Sequence, residues 1–298
     1  MFGNLSLRKR LYSLLLLTLG VLLVYCAPLF EKYGSTLAAL SGHDTPYLTV
    51  TFLDVGQGDA ILVETPDGVQ LLIDGGRDGV VLRELAATLP WFDRTIDMLI
   101  GTHPDKDHIG GLVDVLKRYQ VGTIITTENT GETITAKAYH TALLSEAADV
   151  IMARTGQLYA LGASTTLMVF SPANDPSMLE SNTASIVTQI RYGDIAFMLT
   201  GDAPQSIESY LVTMYGPQLE SEVLKLGHHG SKTSSAEDFL AAVNPQYAVV
   251  STGVDNSYGH PATEIVARVS ARNIPLVNTA EVGRITFQTD GVNVWQVK

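Results

Sequence analysis

Residues 102–111 read THPDKDHIGG and sit at the end of the apolar stretch Ile96–Thr102. His103, Asp105, Asp107 and His108 place four possible metal ligands within six residues. In an extended or turning segment, positions 103, 105 and 107 project to one side, and His108 turns inward as a helix begins. Imidazole plus carboxylate is a donor set for zinc, manganese or iron(II). The plainer reading is a solvated loop with Asp107 as a helix N-cap. It accounts for one acid and leaves both histidines unexplained.

Outward from this point the chain alternates strand and helix patterns. Tyr47–Asp54 alternates and is β-rich, Ala60–Glu64 and Val69–Asp74 are apolar runs separated by a turn signal at 65–68, and together they predict an early β-meander. Helical patterns at Val80–Leu89, Gly111–Tyr119 and Ala136–Ala148 alternate with strands at Ile96–Thr102, Gly122–Thr126 and near Ile151, Leu158 and Leu167–Phe170. Ser185–Tyr192 and Ile195–Thr200 flank Gly193-Asp194, a tight hairpin signal. Helices at Pro204–Tyr215, Ala236–Val243 and Thr263–Ala271 then separate strands at Glu222–Leu226, Tyr247–Ser251 and near Leu276; Ile285–Gln288 and Val292–Gln296 close the chain. Elements of this kind predict helix–sheet–sheet–helix layers.

Three further clusters follow strands: Asp202 after Leu199, His228-His229 after Leu226, and His260 in Tyr258–Pro261. Each alone reads as a turn. Their shared place at strand ends, where side chains gather into a crevice, points to one site. Gly56 and Gly58 do not signal a dinucleotide loop, because position 61 is Ile and a strand pattern follows. No Gly-x-Ser-x-Gly elbow occurs, and the single cysteine, Cys26, excludes an internal disulfide framework and a Cys-x-x-Cys metal site.

Together, Phe52–Ala60 (FLDVGQGDA), Leu72–Gly76 (LIDGG), His103–Gly111, Leu199–Asp202, His228–Ser231 and Tyr258–Pro261 resemble the metallo-β-lactamase superfamily, in the branch of the ComEC competence-channel hydrolase-like domain and its stand-alone relatives. The motifs stand in family order from about Leu48 to the C-terminus. The resemblance implies an αββα sandwich and two divalent ions, zinc or manganese. His103 and Asp105 would hold the first ion, Asp107 and His108 the second. Asp202 would bridge both, and His260 would complete the second site. Asp105 stands where many members have histidine, which hardens the first site toward manganese. Many members also supply a histidine before the bridging Asp; His140, the one candidate there, reads as a surface or core residue. His228 is assigned to that vacancy with His229 supporting it, an order that can be exchanged. Asp54 or Asp59 would orient ligands, and Asn182 and Ser185 match a polar element of the branch. Lys106, Lys225 and Lys232 read as solvated lysines able to supplement the positive pocket.

The implied chemistry is hydrolysis. Two ions sharing a water lower its pKa toward neutrality and supply a hydroxide. Asp107 and Asp202 belong to that catalytic unit, and His229 would protonate the leaving group. A phosphodiesterase or nuclease acting on DNA leads; a small-substrate phosphoester or lactone hydrolase and a non-catalytic tethered binding domain stand beside it.

Charge and the N-terminus frame the setting. The 298 residues carry a net charge of −12. Arg8, Lys9 and Arg10 precede the uncharged run Leu11–Phe30, long enough to span about 30 Å of hydrocarbon. The predicted organisation is a basic cytoplasmic tail over 1–10, a transmembrane anchor over 11–30, a linker over 31–46 and a hydrolase domain over 47–298. The bases place the domain outside the cytoplasm; a cleaved signal peptide is the competing reading. Beyond residue 30 the balance is 16 bases against 31 acids, poor for gripping a polyanion non-specifically.

Overall fold

A computed structural model describes residues 46–254 and 256–297. The predicted tail, the anchor and all but the last linker residue lie outside the described residues. Among the described residues no helix is long and apolar enough to cross a membrane.

Two sheets face each other. The first has eight strands in the order β15-β14-β1-β2-β3-β4-β5-β6: β1 (Leu48–Phe52), β2 (Ile61–Glu64), β3 (Gln70–Ile73), β4 (Thr95–Ile100), β5 (Gln120–Thr126), β6 (Asp149–Met152), β14 (Ile285–Thr289) and β15 (Val294–Val297). The second has seven, in the order β13-β12-β11-β10-β9-β8-β7: β7 (Leu158–Leu161), β8 (Thr165–Ser171), β9 (Val187–Tyr192), β10 (Ile195–Leu199), β11 (Val223–Lys225), β12 (Tyr247–Val250) and β13 (Leu276–Asn278). The meander over β1–β3 is antiparallel, with Thr51 opposite Leu62 and Leu62 opposite Leu72. Ile195 pairs with Tyr192 across the Gly193-Asp194 turn, as the hairpin signal requires. Strands β3 to β6 and β10 to β13 run parallel.

Alternation assigns each face. Val50, Phe52, Ile73, Phe197, Leu199, Val223 and Val249 meet between the sheets. Leu62, Leu72, Leu99 and Ile124 point the other way, under α1 (Val80–Thr88), the one-turn helices α2 (Lys106–Ile109) and α3 (Leu112–Val115), and α4 (Ile134–Ser145). Met198, Leu224, Ala248 and Val250 carry α5 (Gln205–Tyr215), α6 (Glu237–Val243) and α7 (Thr263–Ala271); α8 (Thr279–Val282) follows β13. This is the αββα sandwich expected. The predicted helix over Gly111–Tyr119 is regular only over Leu112–Val115; beyond it, turns with Arg118 N and Tyr119 N both donating to Val115 O lead into β5 at Gln120. Parallel strands with helical crossovers open a crevice beyond their C-terminal ends. The motif residues stand there.

Candidate metal centre

Three loops of the first sheet are knitted by their backbones. Gly75 N donates to His108 O at 2.7 Å, Gly76 N to Asp59 O at 2.7 Å, and Asp59 N to Asp107 O at 3.2 Å. Gly58 lies so close to the Asp107 carbonyl that any Cβ would overlap it, and its φ of +129° excludes most side chains. The GQG element is therefore a packing requirement of the His103–Gly111 loop. Asp105 occupies the N-cap position of α2 without capping it; its Oδ1 accepts from Ser181 Oγ at 2.6 Å. The acid is turned toward the crevice, against the reading of this segment as a capped polar loop.

On the second sheet, β10 runs into Asp202, whose backbone N donates to Ser185 Oγ at 3.2 Å. After β11, His228 and His229 both adopt left-handed backbone, φ +48° and +55°. Each such residue costs about 1–2 kcal/mol in an L-amino-acid chain. Their imidazoles offset that cost: His228 Nδ1 meets Thr233 Oγ1 and His229 Nδ1 meets Ser251 O, both at 3.0 Å.

The donor atoms converge on Asp202 Oδ2. On one side lie His103 Nε2 at 3.7 Å and His228 Nε2 at 3.8 Å, with Asp105 Oδ2 3.8 Å from His103 Nε2. On the other lie His108 Nε2 at 3.3 Å and His229 Nε2 at 3.6 Å. His229 Nε2 is also 3.3 Å from His108 Nε2 and 3.4 Å from Asp107 Oδ2. Two donors about 2.0–2.2 Å from one ion, at tetrahedral to trigonal angles, stand about 3.3–3.8 Å apart. Both groups meet that spacing. His103 Nε2 and Asp202 Oδ1 are buried without a hydrogen-bond partner, as atoms awaiting a cation would be. The residues present fit divalent metal.

Buried polar groups fix the donors from behind. Asp74 Oδ2 binds His108 Nδ1 at 2.7 Å and accepts from Thr102 Oγ1 at 2.7 Å, and Thr102 Oγ1 stands 2.9 Å from His103 Nδ1. One carboxylate thus orients two imidazoles, leaving Nε2 of each for the centre. Lys225 Nζ pairs with Asp59 Oδ2 at 2.8 Å, and Asp59 Oδ1 faces His229 Nδ1 at 3.4 Å. Asp59, His108, Asp202 and His229 form a compact potential ligand group. Asp59 nonetheless meets His229 through the nitrogen turned away from the cluster, so it supports rather than joins the donors.

The electrostatics match this arrangement. Burial raises the Asp107 carboxyl, but the His229 hydrogen bond and the His108 charge outweigh it and bring it to about 2. Burial lowers His229, and Asp202 and Asp59 more than reverse that, lifting it to about 9. His108 is also raised, Asp202 and Asp74 overcoming burial; His103 is lowered by burial and by His108. A divalent ion at the site would compete with protons for these imidazoles.

Several sequence expectations are corrected. His229, expected as a support and proton donor, is buried with Nε2 among the donors of Asp107 and His108 and Nδ1 bound to Ser251; it has no nitrogen left for a leaving group. His260, expected to complete the second site, lies beside His228, ring centres 5.6 Å apart, and is stacked on Tyr258. Lys225 is fully buried in a central strand, because Asp59 neutralises it there. Asp54 accepts from Gly56 N and shapes its own turn. His140, by contrast, is exposed on α4, in keeping with its reading as a surface residue. Sequence reasoning gave no role to Asp74, Thr102 or Ser181. A charged residue closing an apolar strand, as in Leu71–Asp74 or Val223–Lys225, was the available signal.

Residues 53–254 match the family model described as the metallo-beta-lactamase superfamily. The chain is similar to "ComE operon protein 3" of Bacillus subtilis (strain 168), 26% identical, covering 95% of this chain and 37% of that protein. It is also similar to "Competence protein ComA" of Neisseria gonorrhoeae, 34% identical, covering 80% and 32%. It spans about a third of the length of these relatives. Among solved structures, the metallo-beta-lactamase fold protein YhfI from Bacillus subtilis superposes with a TM-score of 0.52 at 13% identity, covering 78% of this chain and 96% of that one. That likeness concerns the fold.

Proposed function

We propose, from the premise that this chain belongs to the metallo-β-lactamase superfamily and is a metal-dependent hydrolase, that it is a membrane-anchored, extracytoplasmic phosphodiesterase cutting DNA at a binuclear centre. The observation that carries the reading is the meeting of two donor groups at Asp202 Oδ2. Charge supports two ions. Asp59, Asp74, Asp105, Asp107 and Asp202 set five negative charges against the ammonium of Lys225, and two divalent cations would cancel the remaining four. Bound ions would polarise a phosphoryl oxygen and acidify a water. The oxygen of Asp105, in place of a nitrogen, favours manganese at the first site.

The chain's own groups do the rest. Asp202 fixes the separation of the two donor groups, and Asp74 and the Ser251 carbonyl hold the His108 and His229 imidazoles in one tautomer. Lys106 and Lys232, exposed beside the donors, would draw a phosphate in. His260, half-buried beside His228, would exchange a proton with the leaving oxygen. Similarity to a competence protein supports DNA as the substrate, and the basic-then-apolar pattern of residues 8–30 supports the anchor and the outward-facing domain.

The acidic balance beyond residue 30 favours a second reading, a small-substrate phosphoester or lactone hydrolase of the same fold. The full chain, loaded with manganese or zinc, tested side by side on plasmid, single-stranded DNA, bis-p-nitrophenyl phosphate and a lactone, separates the two. Cleavage of DNA that is lost in His108→Ala is the expected result; ester turnover without DNA cleavage installs the second reading.

A further inference from the structure

The end of the sandwich opposite the metal centre carries its own feature. Strands β1, β3 and β4 run in the same direction, so Leu48, Gln70 and Thr95 share one edge, while Phe52, Ile73 and Ile100 lead toward the donors. The described chain enters at this edge, at Pro46. Just before β4, Trp91 and Phe92 stand 81% and 56% exposed, packed edge to face with ring centres 5.7 Å apart. The turn from β14 to β15 brings Val292, 68% exposed, to the same edge beside β1. The two aromatics lie outside every apolar cluster of the fold, so the sandwich gains nothing by displaying them.

We propose that this edge rests on the lipid–water interface of the bilayer that anchors the chain, with Trp91 and Phe92 at headgroup depth. The inference rests on the anchor proposed above. Only residues 31–46 separate the apolar run from the entry edge, and sixteen residues reach at most about 55 Å. A tether of that reach lets the entry edge meet the membrane, and exposed aromatics there match the interfacial preference of Trp and its neighbours. Contact is apolar rather than electrostatic. Asp93 and Arg94, next to the aromatics, carry opposite charges, and Lys117 and Arg118 share Asp114. Docked this way, the metal centre faces away from the bilayer, one strand length of about 20 Å further out, open to a substrate arriving from outside.

The chain holds two tryptophans, so Trp295→Phe leaves Trp91 as the sole reporter. The full-length variant is reconstituted in zwitterionic phosphatidylcholine vesicles carrying lipids brominated near the headgroup or near the bilayer centre. Resistance of the chain to alkaline extraction tests the anchor independently. The expected result is extraction resistance with loss of about half the Trp91 emission to the shallow bromines and little to the deep ones. A resistant chain with unquenched Trp91 overturns the docking and leaves the anchor standing. An extractable chain overturns both. Quenching that needs anionic lipid and vanishes in salt overturns the apolar contact in favour of Arg94, Lys117 and Arg118.

Discussion

The two halves of the metal centre are built differently. The first sheet delivers His103, Asp105, Asp107 and His108 in six consecutive residues around a one-turn helix. The second delivers Asp202, His228 and His229 from two strands, with both histidines on left-handed backbone. A cluster that is local in the chain needs only its own turn to assemble, plus Asp74 behind it. A dispersed half needs the sheet to bring its parts together and spends backbone strain to aim them. Such strain persists where the surroundings over-determine it, here through Ser251, Thr233 and Asp59.

Substitution at the shared atom should have the largest effect, since Asp202 belongs to both donor groups and its loss breaks them at once. Asp202→Asn should lose both metal equivalents by elemental analysis and lower kcat by about 10³-fold or more. Retention of one tight equivalent would mean that one donor group holds its ion without Asp202. Next comes the histidine pair. His229→Ala should lose the ion held with Asp107 and His108 and about 10²-fold in activity, and His228→Ala only about 10-fold, since its ring is part-exposed and at the edge of the spacing. The reverse order in a metal titration would restore the assignment expected from sequence alone.

What the sequence made legible follows the same division. The fold was readable because Leu71–Ile73, Ile96–Ile100 and Ile195–Leu199 carry unmistakable buried-strand patterns, and Gly193-Asp194 fixes a hairpin. The His103–His108 cluster was readable because its spacing is local. The choice between His228 and His229 was not, because it depends on two positive φ values that no pattern of residue types announces. Lys225 was misjudged for a related reason. Its charge suggests solvent, and only the three-dimensional approach of Asp59, 166 positions earlier, permits burial.

The supporting carboxylate of the first half gives a smaller but sharper test. Asp74 Oδ1 accepts from Thr102 N at 2.8 Å while Oδ2 binds His108 and Thr102 Oγ1. In Asp74→Asn the new NH₂ must oppose either the Thr102 N–H or His108 Nδ1, so either the segment that carries His103 or the His108 imidazole loses its acceptor. Metal affinity should fall about 10–100-fold with the fold retained, read by competition against a chelating dye. An unchanged affinity would show that the local half holds its geometry without help from behind.

The second half also leans on a group that titrates near neutrality. Glu208 on α5 is buried and accepts from Ser235 N and Ala236 N, both at 2.7 Å, pinning the segment that leads from the histidine pair into α6. Burial pushes its carboxyl up to about 7, against the two backbone N–H groups that favour the charge, with Asp238 adding to the rise and Arg268 opposing it. A carboxyl raised in the folded state stabilises the fold fully below its unfolded pKa of 4.5 and loses that contribution as pH climbs to about 7. The loss is about 3 kcal/mol. In Glu208→Gln the group cannot ionise, so the urea midpoint of the metal-loaded protein should lose its downward component between pH 4.5 and 7. Wild type should therefore lead at pH 5 and surrender that lead by pH 7.5, while kcat changes less than about threefold, because Glu208 acts through the backbone and touches no donor. Parallel curves for the two proteins across this range would place the sensitivity elsewhere and leave the dispersed half as robust to pH as the local one.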